Sequence, residues 1–350
     1  MAQLRKRGNK WQARVRLKGY PATEKTFSTR SDAESWAKIT ESEMIRGMYI
    51  KRTDSERTTL LEALNRYEIE VTPSKRGAAI ERIRIRAWKK TRLAKLSLAS
   101  IRGVDFATWR DERLKQVAAG TVKRELGTIC NLFNIARKEW GYEGLLNPIE
   151  SIRLPREPNG RDRIFREHEE GYLLDALEKS AAHTGRSNSG RINPWIKPIV
   201  LLALETAMRR GEILSLRWEN IRLADQVALL PMTKNGQPRT VPLSKQAVQI
   251  LNSLPRSLYG AVFPVTENGL KLGFVRAVKR AKAHYAADGG TDSRMLTDLR
   301  FHDLRHIAVT RLANKLSNIM ELAAVSGHSD IRMLKRYFHP KAEDLAKKLG

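Results

Sequence analysis

Near the start of the chain, Trp11, Ala13, Val15 and Leu17 alternate with polar neighbours. A period of two is the signature of a strand with one buried face. Lys18-Gly19 supplies a turn and Thr23 to Phe27 returns, so residues 9–28 predict a small sheet. Ser31-Asp-Ala-Glu34 has the capping-box pattern and opens a helix to about Arg46, with Ala33, Trp36, Ala37 and Met44 as its apolar residues. From Thr53 the spacing changes to three and four. Helices follow over 59–71, 77–93, 104–115 and 121–140, and Ile80, Ile83, Ala87 and Trp88 read as the inner face of the second. Further on, 167–182 and 196–205 read as core helices. Two apolar runs, 227–232 and 240–243, flank Thr233-Lys234-Asn235-Gly236, a hairpin turn. Helical spacing resumes at 245–254, 270–286, 302–312, 319–325 and 331–337, and a short amphipathic run covers 342–349.

The expected fold class is mainly α and multidomain (α+β). A β-sheet-plus-helix module covers 1–52 and a helical domain 53–150. A stretch rich in proline and basic residues, 151–163, reads as an extended, flexible linker. A mostly helical domain with one β-hairpin covers 164–340, and 341–350 forms a tail.

Charge narrows the function. Among 350 residues, 65 lysines and arginines face 38 acids, a formal net charge of +27. Each of the three major stretches is basic, so a polyanion is expected to touch all of them. The single cysteine, Cys130, excludes an internal disulfide and a multi-cysteine zinc finger. No secretory pattern and no apolar run long enough to span a bilayer is evident, so the expectation is a cytoplasmic, nucleoid-associated protein without a membrane partner. Between Lys75 and Lys95 nine basic residues stand against one acid, Glu81. With so few intrahelical partners, Arg82, Arg84, Arg86, Lys89 and Lys90 are candidates for phosphate contact. Arg14, Arg16 and Lys18 are the corresponding candidates on the N-terminal sheet.

Four short segments of the C-terminal half carry groups suited to phosphate chemistry. They are Thr206-Ala-Met-Arg209-Arg210-Gly211-Glu212, the turn with Lys234, Phe301-His302-Asp-Leu-Arg305-His306, and Ser326-Gly-His328 with Tyr337 nine residues on. Singly each is weak. His302 and His306 at i and i+4 could in principle hold zinc, but an arginine lies between them and no acidic cluster accompanies them, so no metal or cofactor is expected. Cys130, amid Leu126, Ile129 and Phe133, reads as a small core residue.

In this order, Arg…Lys…His-x-x-Arg…His…Tyr resembles the tyrosine recombinases, the family of phage integrases. The N-terminal module is similar to their arm-site-binding domain and the helical middle to their core-binding domain. The resemblance implies Tyr337 as a nucleophile that forms a 3′-phosphotyrosyl link, with Arg209 and Arg305 gripping the phosphate. Lys234 would protonate the leaving 5′-oxygen. His302 would act as base toward Tyr337 or hold the phosphate, His328 would donate to a phosphate oxygen, and Glu212 would buttress Arg209. Neither a metal nor ATP is implied. The implied partners are double-stranded recombination sites, a homo-tetramer on DNA, and accessory DNA-bending or excision-directing factors. The tail would dock on a neighbouring protomer or fold back on its own domain. Rival readings are a DNA invertase of the same family, a type IB topoisomerase, and a non-catalytic DNA-binding regulator.

Overall fold

The structure, a computed structural model, describes all residues except 1, 48, 50–52, 159, 179–192, 233–235, 257–259, 317, 339–345, 347, 348 and 350. The chain forms two compact units, Met1–Asn159 and Gly160–Gly350.

The first unit opens with three antiparallel strands, β1 (Ala2–Arg7), β2 (Lys10–Val15) and β3 (Thr23–Phe27), in the order β1-β2-β3. The alternation in β2 has a direct structural cause: Ala13 and Val15 are fully buried against Ala33, Ala37 and Met44 of α1 (Arg30–Ile45). β1 was not legible, because all six of its residues are exposed and it carries no buried period. Its register sets Gln3 opposite Arg14 and Arg5 opposite Gln12, so Arg5 and Arg7 share the outward face with Arg14. Helix α1 starts earlier than the sequence suggested. Its cap is Thr29, whose hydroxyl accepts from the Asp32 N–H, rather than Ser31.

After the short α2 (Thr53–Arg57) come α3 (Leu60–Glu70) and α4 (Ala78–Lys89). A complete capping box, Thr59 with Glu62, starts α3. The inner face expected for α4 needs correction: Ile85 and Trp88 are buried, whereas Ile80 and Ile83 are 59% and 64% exposed. At 3.6 residues per turn, 81, 85 and 88 make one stripe and 80, 83 and 87 make the opposite one, so Trp88 does not belong with the isoleucines it was grouped with. The turn geometry puts Arg82, Arg86 and Lys89 on one flank and Arg84 on the other. Lys89 is paired with Glu68 of α3 at 2.5 Å. Helices α5 (Gly103–Leu114) and α6 (Ala119–Glu139) complete this core around Phe106, Leu126 and Phe133.

In the second unit, α7 (Glu169–Glu178), α8 (Ile196–Thr206) and α9 (Arg210–Leu214) precede a small antiparallel sheet of β4 (Ile221–Arg222), β5 (Val227–Leu230) and β6 (Arg239–Pro242). Then follow α10 (Lys245–Asn252), α11 (Glu267–Ala287), α12 (Asp303–Lys315) and α13 (Ile319–Ser326). Helix α8, apolar on nearly every side, runs through the core and packs against α10 and α12. Among the described residues no helix is long and apolar enough to cross a membrane.

Two expectations fail here for identifiable reasons. Residues 331–337 do not make a helix: Ile331–Met333 form one 3-10 turn, started by the Asp330 side chain accepting from the Arg332 N–H. Only Leu334 of this stretch is buried, so no helical stripe exists to sustain a longer element. The cationic linker is also partly spent. Arg161 donates to both carboxylate oxygens of Asp303, at 3.0 and 2.8 Å, and to Asp298. Arg163 donates to both oxygens of the fully buried Glu169. These two arginines neutralise carboxylates of the second unit and are not free for a polyanion.

Candidate active site

The chain leaves α8 through Ala207, a residue in the left-handed region (φ 52°) and fully buried. A non-glycine residue held there costs on the order of 1 kcal/mol. The gain is orientation: the Ala207 carbonyl accepts from Arg305 Nη1 at 2.5 Å. Two residues on, Arg209 caps α9. Its backbone N–H donates to Glu212 Oε2 and its guanidinium to Glu212 Oε1, both at 2.9 Å. Arg209 Nη2 also donates to the Gly327 carbonyl at 3.1 Å.

Glu212 is 5% exposed and receives a second arginine, Arg239 of β6, at 2.8 Å. Burial would raise its pKa, but the Arg209 N–H and the Arg239 charge overcome that and hold the carboxyl ionised below its usual range. Arg239 Nη1 reaches the Val325 carbonyl at 2.7 Å, tying β6 to the end of α13. Gly327 ends α13 at φ 68°, and a Cβ there would lie 2.8 Å from the Arg239 guanidinium, so the position calls for glycine on both counts.

Arg305, in the first turn of α12, is 5% exposed and lies at the centre. Besides Ala207 it donates to the Ser326 carbonyl at 2.8 Å and approaches His328 Nε2 at 3.3 Å. Burial, with Arg209 next in weight, pushes its pKa down to about 10, which leaves it a cation at neutral pH. Burial, then Arg305 and Arg209, pushes His328 down to about 4, so its ring is neutral at neutral pH. Its tautomer follows from its neighbours. The Ser326 hydroxyl donates to the Leu322 carbonyl at 2.5 Å and must accept from His328 Nδ1–H at 2.7 Å, leaving Nε2 to accept from Arg305.

Tyr337 is positioned by the 3-10 turn before it: its N–H bonds the carbonyl of fully buried Leu334, at 2.9 Å. Its ring packs at the edge of a cluster of Ala207, Ala308, Val309 and Leu322. Burial raises its pKa, opposed by the adjacent Arg336. The phenol oxygen hydrogen-bonds His306 Nδ1, with the two rings stacked. His302, one turn earlier and exposed at the cleft edge, meets His306 edge-on with ring centres 5.5 Å apart. Its pKa is lowered by its partial enclosure and then by Arg305.

Arg209, His302, Arg305, His328 and Tyr337 therefore line one cleft of about 390 Å³, with Glu212 behind Arg209. Lys234 lies outside the described residues. Sequence reading gave no role to Arg239, Ser326 or Arg336. His306 entered the sequence reading only through its i+4 spacing from His302, and that spacing was the signal that it shares the cleft. Among the described residues, no three His, Cys, Asp or Glu side chains group as metal ligands.

A cleft walled by two arginines, with histidines and a tyrosine hydroxyl, is built to receive a phosphodiester rather than a small apolar ligand. The comparisons give that class its name. The model of the phage integrase family matches residues 164–344, and the chain belongs to that family, the tyrosine recombinases. It is a DNA recombinase. It is 40% identical over 300 residues to a shufflon-specific DNA recombinase of Escherichia coli, covering 83% of this chain and 71% of that protein. A Haemophilus influenzae protein described as a putative integrase/recombinase is 34% identical over 354 residues, 99% of this chain and 88% of its own. In fold, the chain is similar to lambda integrase in a dimer bound to a COC′ core site, with TM-score 0.62, 20% identity and coverage of 96% and 94%.

Proposed function

We propose that this chain is a site-specific recombinase of a phage or mobile element, cutting and rejoining double-stranded DNA through Tyr337. The phenol oxygen attacks the scissile phosphorus, leaving a 3′-phosphotyrosyl link and a free 5′-hydroxyl. The ester conserves the bond energy, so the reverse attack by another 5′-hydroxyl reseals a strand without ATP. Arg209 and Arg305 carry the charge of the five-coordinate phosphorane on fixed guanidinium forks, the part a metal ion plays elsewhere. His302 meets the phosphate at the cleft mouth, and Lys234 supplies the proton to the departing 5′-oxygen. His328, a neutral ring whose Nε2 accepts from Arg305, becomes a donor to a phosphate oxygen when the charge of that anion raises its pKa and the ring takes up a proton from solvent. Glu212 holds Arg209 in place directly, and Arg239 holds Glu212.

The observation that supports this reading best is the convergence of Arg209, Arg305, His328 and Tyr337 on one cleft from segments far apart in sequence. In the same reading the module over 1–52 binds arm-type DNA through Arg14, Arg16 and Lys18. The helical domain over 53–150 grips the core site through Arg82, Arg84, Arg86, Lys89 and Lys90, and 164–340 is the catalytic domain. Sequential exchange would pass through a Holliday junction held by a tetramer. A lambda integrase tetramer bound to such a junction has this fold, with TM-score 0.60. The tail over 341–350 would couple protomers, and accessory bending or excision factors would set direction.

The test is to incubate the protein with nicked genomic duplex fragments in EDTA, denature, and sequence the DNA attached to protein. Nicks beside the scissile phosphate release the short 5′-hydroxyl strand and trap the adduct. Enrichment of one site, joined at its 3′ end to Tyr337, is expected. Scattered attachment would indicate a topoisomerase. Tight binding without attachment would indicate a regulator. A DNA invertase is the second reading, favoured by 40% identity to a shufflon-specific recombinase against 26% to the integrase of phage P22. The orientation of the recovered sites separates it from an integrase.

A further inference from the structure

We propose that His306, rather than His302, takes the proton from the Tyr337 phenol when the strand is cut. The inference rests on Tyr337 being the nucleophile and assigns the base in its reaction. His306 Nδ1 is the ring nitrogen that meets the phenol oxygen, and the two rings lie nearly parallel, 29° apart with centres 6.0 Å apart. His302, one helical turn before His306, makes a T-shaped contact with the His306 ring, centres 5.5 Å apart.

The direction of that hydrogen bond follows from donor and acceptor inventory. The Arg336 guanidinium, which has no acceptor, also bonds the phenol oxygen and so occupies a lone pair there. The phenol's single hydrogen is left to point at His306, and of two neutral groups the phenol is the stronger acid. Burial, with His302 next in weight, keeps His306 below its ordinary pKa, so its ring is unprotonated and able to accept at neutral pH. The groups facing it are His302, Asp303 and Arg305 on α12, His328 after α13, and Arg336 beside the tyrosine. Asp303 is already neutralised by Arg161 and does not compete for the proton.

In the forward step, the phenol oxygen forms its bond to phosphorus as its hydrogen moves to His306 Nδ1. The bond from phosphorus to the 5′-oxygen breaks with its electron pair, and that oxygen takes a proton from the general acid, Lys234 in the reading above. Resealing runs the same transfers backwards, with imidazolium returning the proton to Tyr337. Arg336, which stabilises the developing phenolate without exchanging a proton, is a positioning residue.

The test uses the full chain and a nicked duplex bearing the site recovered by adduct sequencing, comparing wild type with His306→Phe, His306→Asn, His302→Phe and Tyr337→Phe. Asparagine can place an amide oxygen near the Nδ1 position but cannot take the proton. Both His306 variants should bind the duplex as wild type does yet form adduct about 10²-fold more slowly at neutral pH, within the range of general-base removal. Their rates should climb steadily as pH rises toward phenol ionisation, where wild type is level. His302→Phe should stay level from neutral pH toward phenol ionisation, as wild type does, with only its acid limb moved because His302 no longer lowers the His306 pKa. Adduct formation by His306→Phe within threefold of wild type would overturn the proposal. So would full rescue by His306→Asn, which would leave only a role in placing the ring, or a rate that climbs toward phenol ionisation in His302→Phe instead. Adduct formed by Tyr337→Phe would refute the nucleophile itself, a separate failure.

Discussion

Arginine does opposite work in the two units. In the second, Arg305, Arg239 and Arg209 are enclosed, and each has carbonyl or carboxylate partners fixed by the fold. In the first, Arg86 of helix α4 and Lys90 just past its end are exposed. The buried set loses hydration and gains fixed direction, which suits charge that appears only in a transition state. The exposed set keeps its hydration and gains by releasing counterions, which suits a polyanion bound over a long surface. Charge counted along a sequence cannot distinguish them. Arg161 and Arg163, which inflate the basic linker on paper, belong to neither kind and serve as internal ties.

Substitutions can break that contrast, beginning with the cleft. Tyr337→Phe should abolish covalent attachment to DNA while leaving duplex affinity unchanged, read by denaturing gel and by binding titration. Arg305→Ala should slow adduct formation by about 10³-fold or more, as removal of a preorganised charge does. It should also lower stability, since the Ala207 and Ser326 carbonyls lose their buried donor. Arg161→Ala should leave cleavage chemistry intact but cost about 3 kcal/mol in denaturant unfolding, because Asp303, 1% exposed, loses its bidentate partner.

Acid should act on the cleft next. His328, His302 and His306 all have folded pKa values below the unfolded 6.5, so the unfolded chain binds more protons in that window. Their contribution is therefore fully present above about pH 6.5 and is lost as pH falls toward 4. Melting temperature should drop over that interval, and bound duplex should flatten the drop by favouring the protonated rings. The smallest effects belong to α4. Arg82→Ala and Arg86→Ala should each weaken DNA binding alike for all sequences and reduce the salt slope by about 1, with adduct formation at saturating protein unchanged.

Much of this was legible in the sequence, for stated reasons. Strand β2 and helices α3, α6 and α8 each bury one stripe or nearly all of their length, so hydrophobic period reports them. Strand β1 buries nothing, and α4 carries two apolar stripes of which only one is buried, so period misled there. Of the candidate site, the residues that line the cleft, Arg209, His302, Arg305, His328 and Tyr337, were readable by motif. Those that hold them in place were not, because Arg239, Ser326 and Arg336 act through contacts made only after folding. His306 is the instructive case. Its sequence neighbour Arg305 and its helical partner His302 were both singled out, yet only the turn of chain that brings Tyr337 back against α12 distinguishes its role.

The most direct measurement is recovery of the protein–DNA adduct formed in EDTA, followed by peptide mapping of the attached residue. The account predicts a single modified peptide, containing Tyr337 esterified to a 3′-phosphate, and none from Tyr337→Phe. An adduct on any other residue, a 5′ linkage, or a strict need for a divalent metal would contradict it.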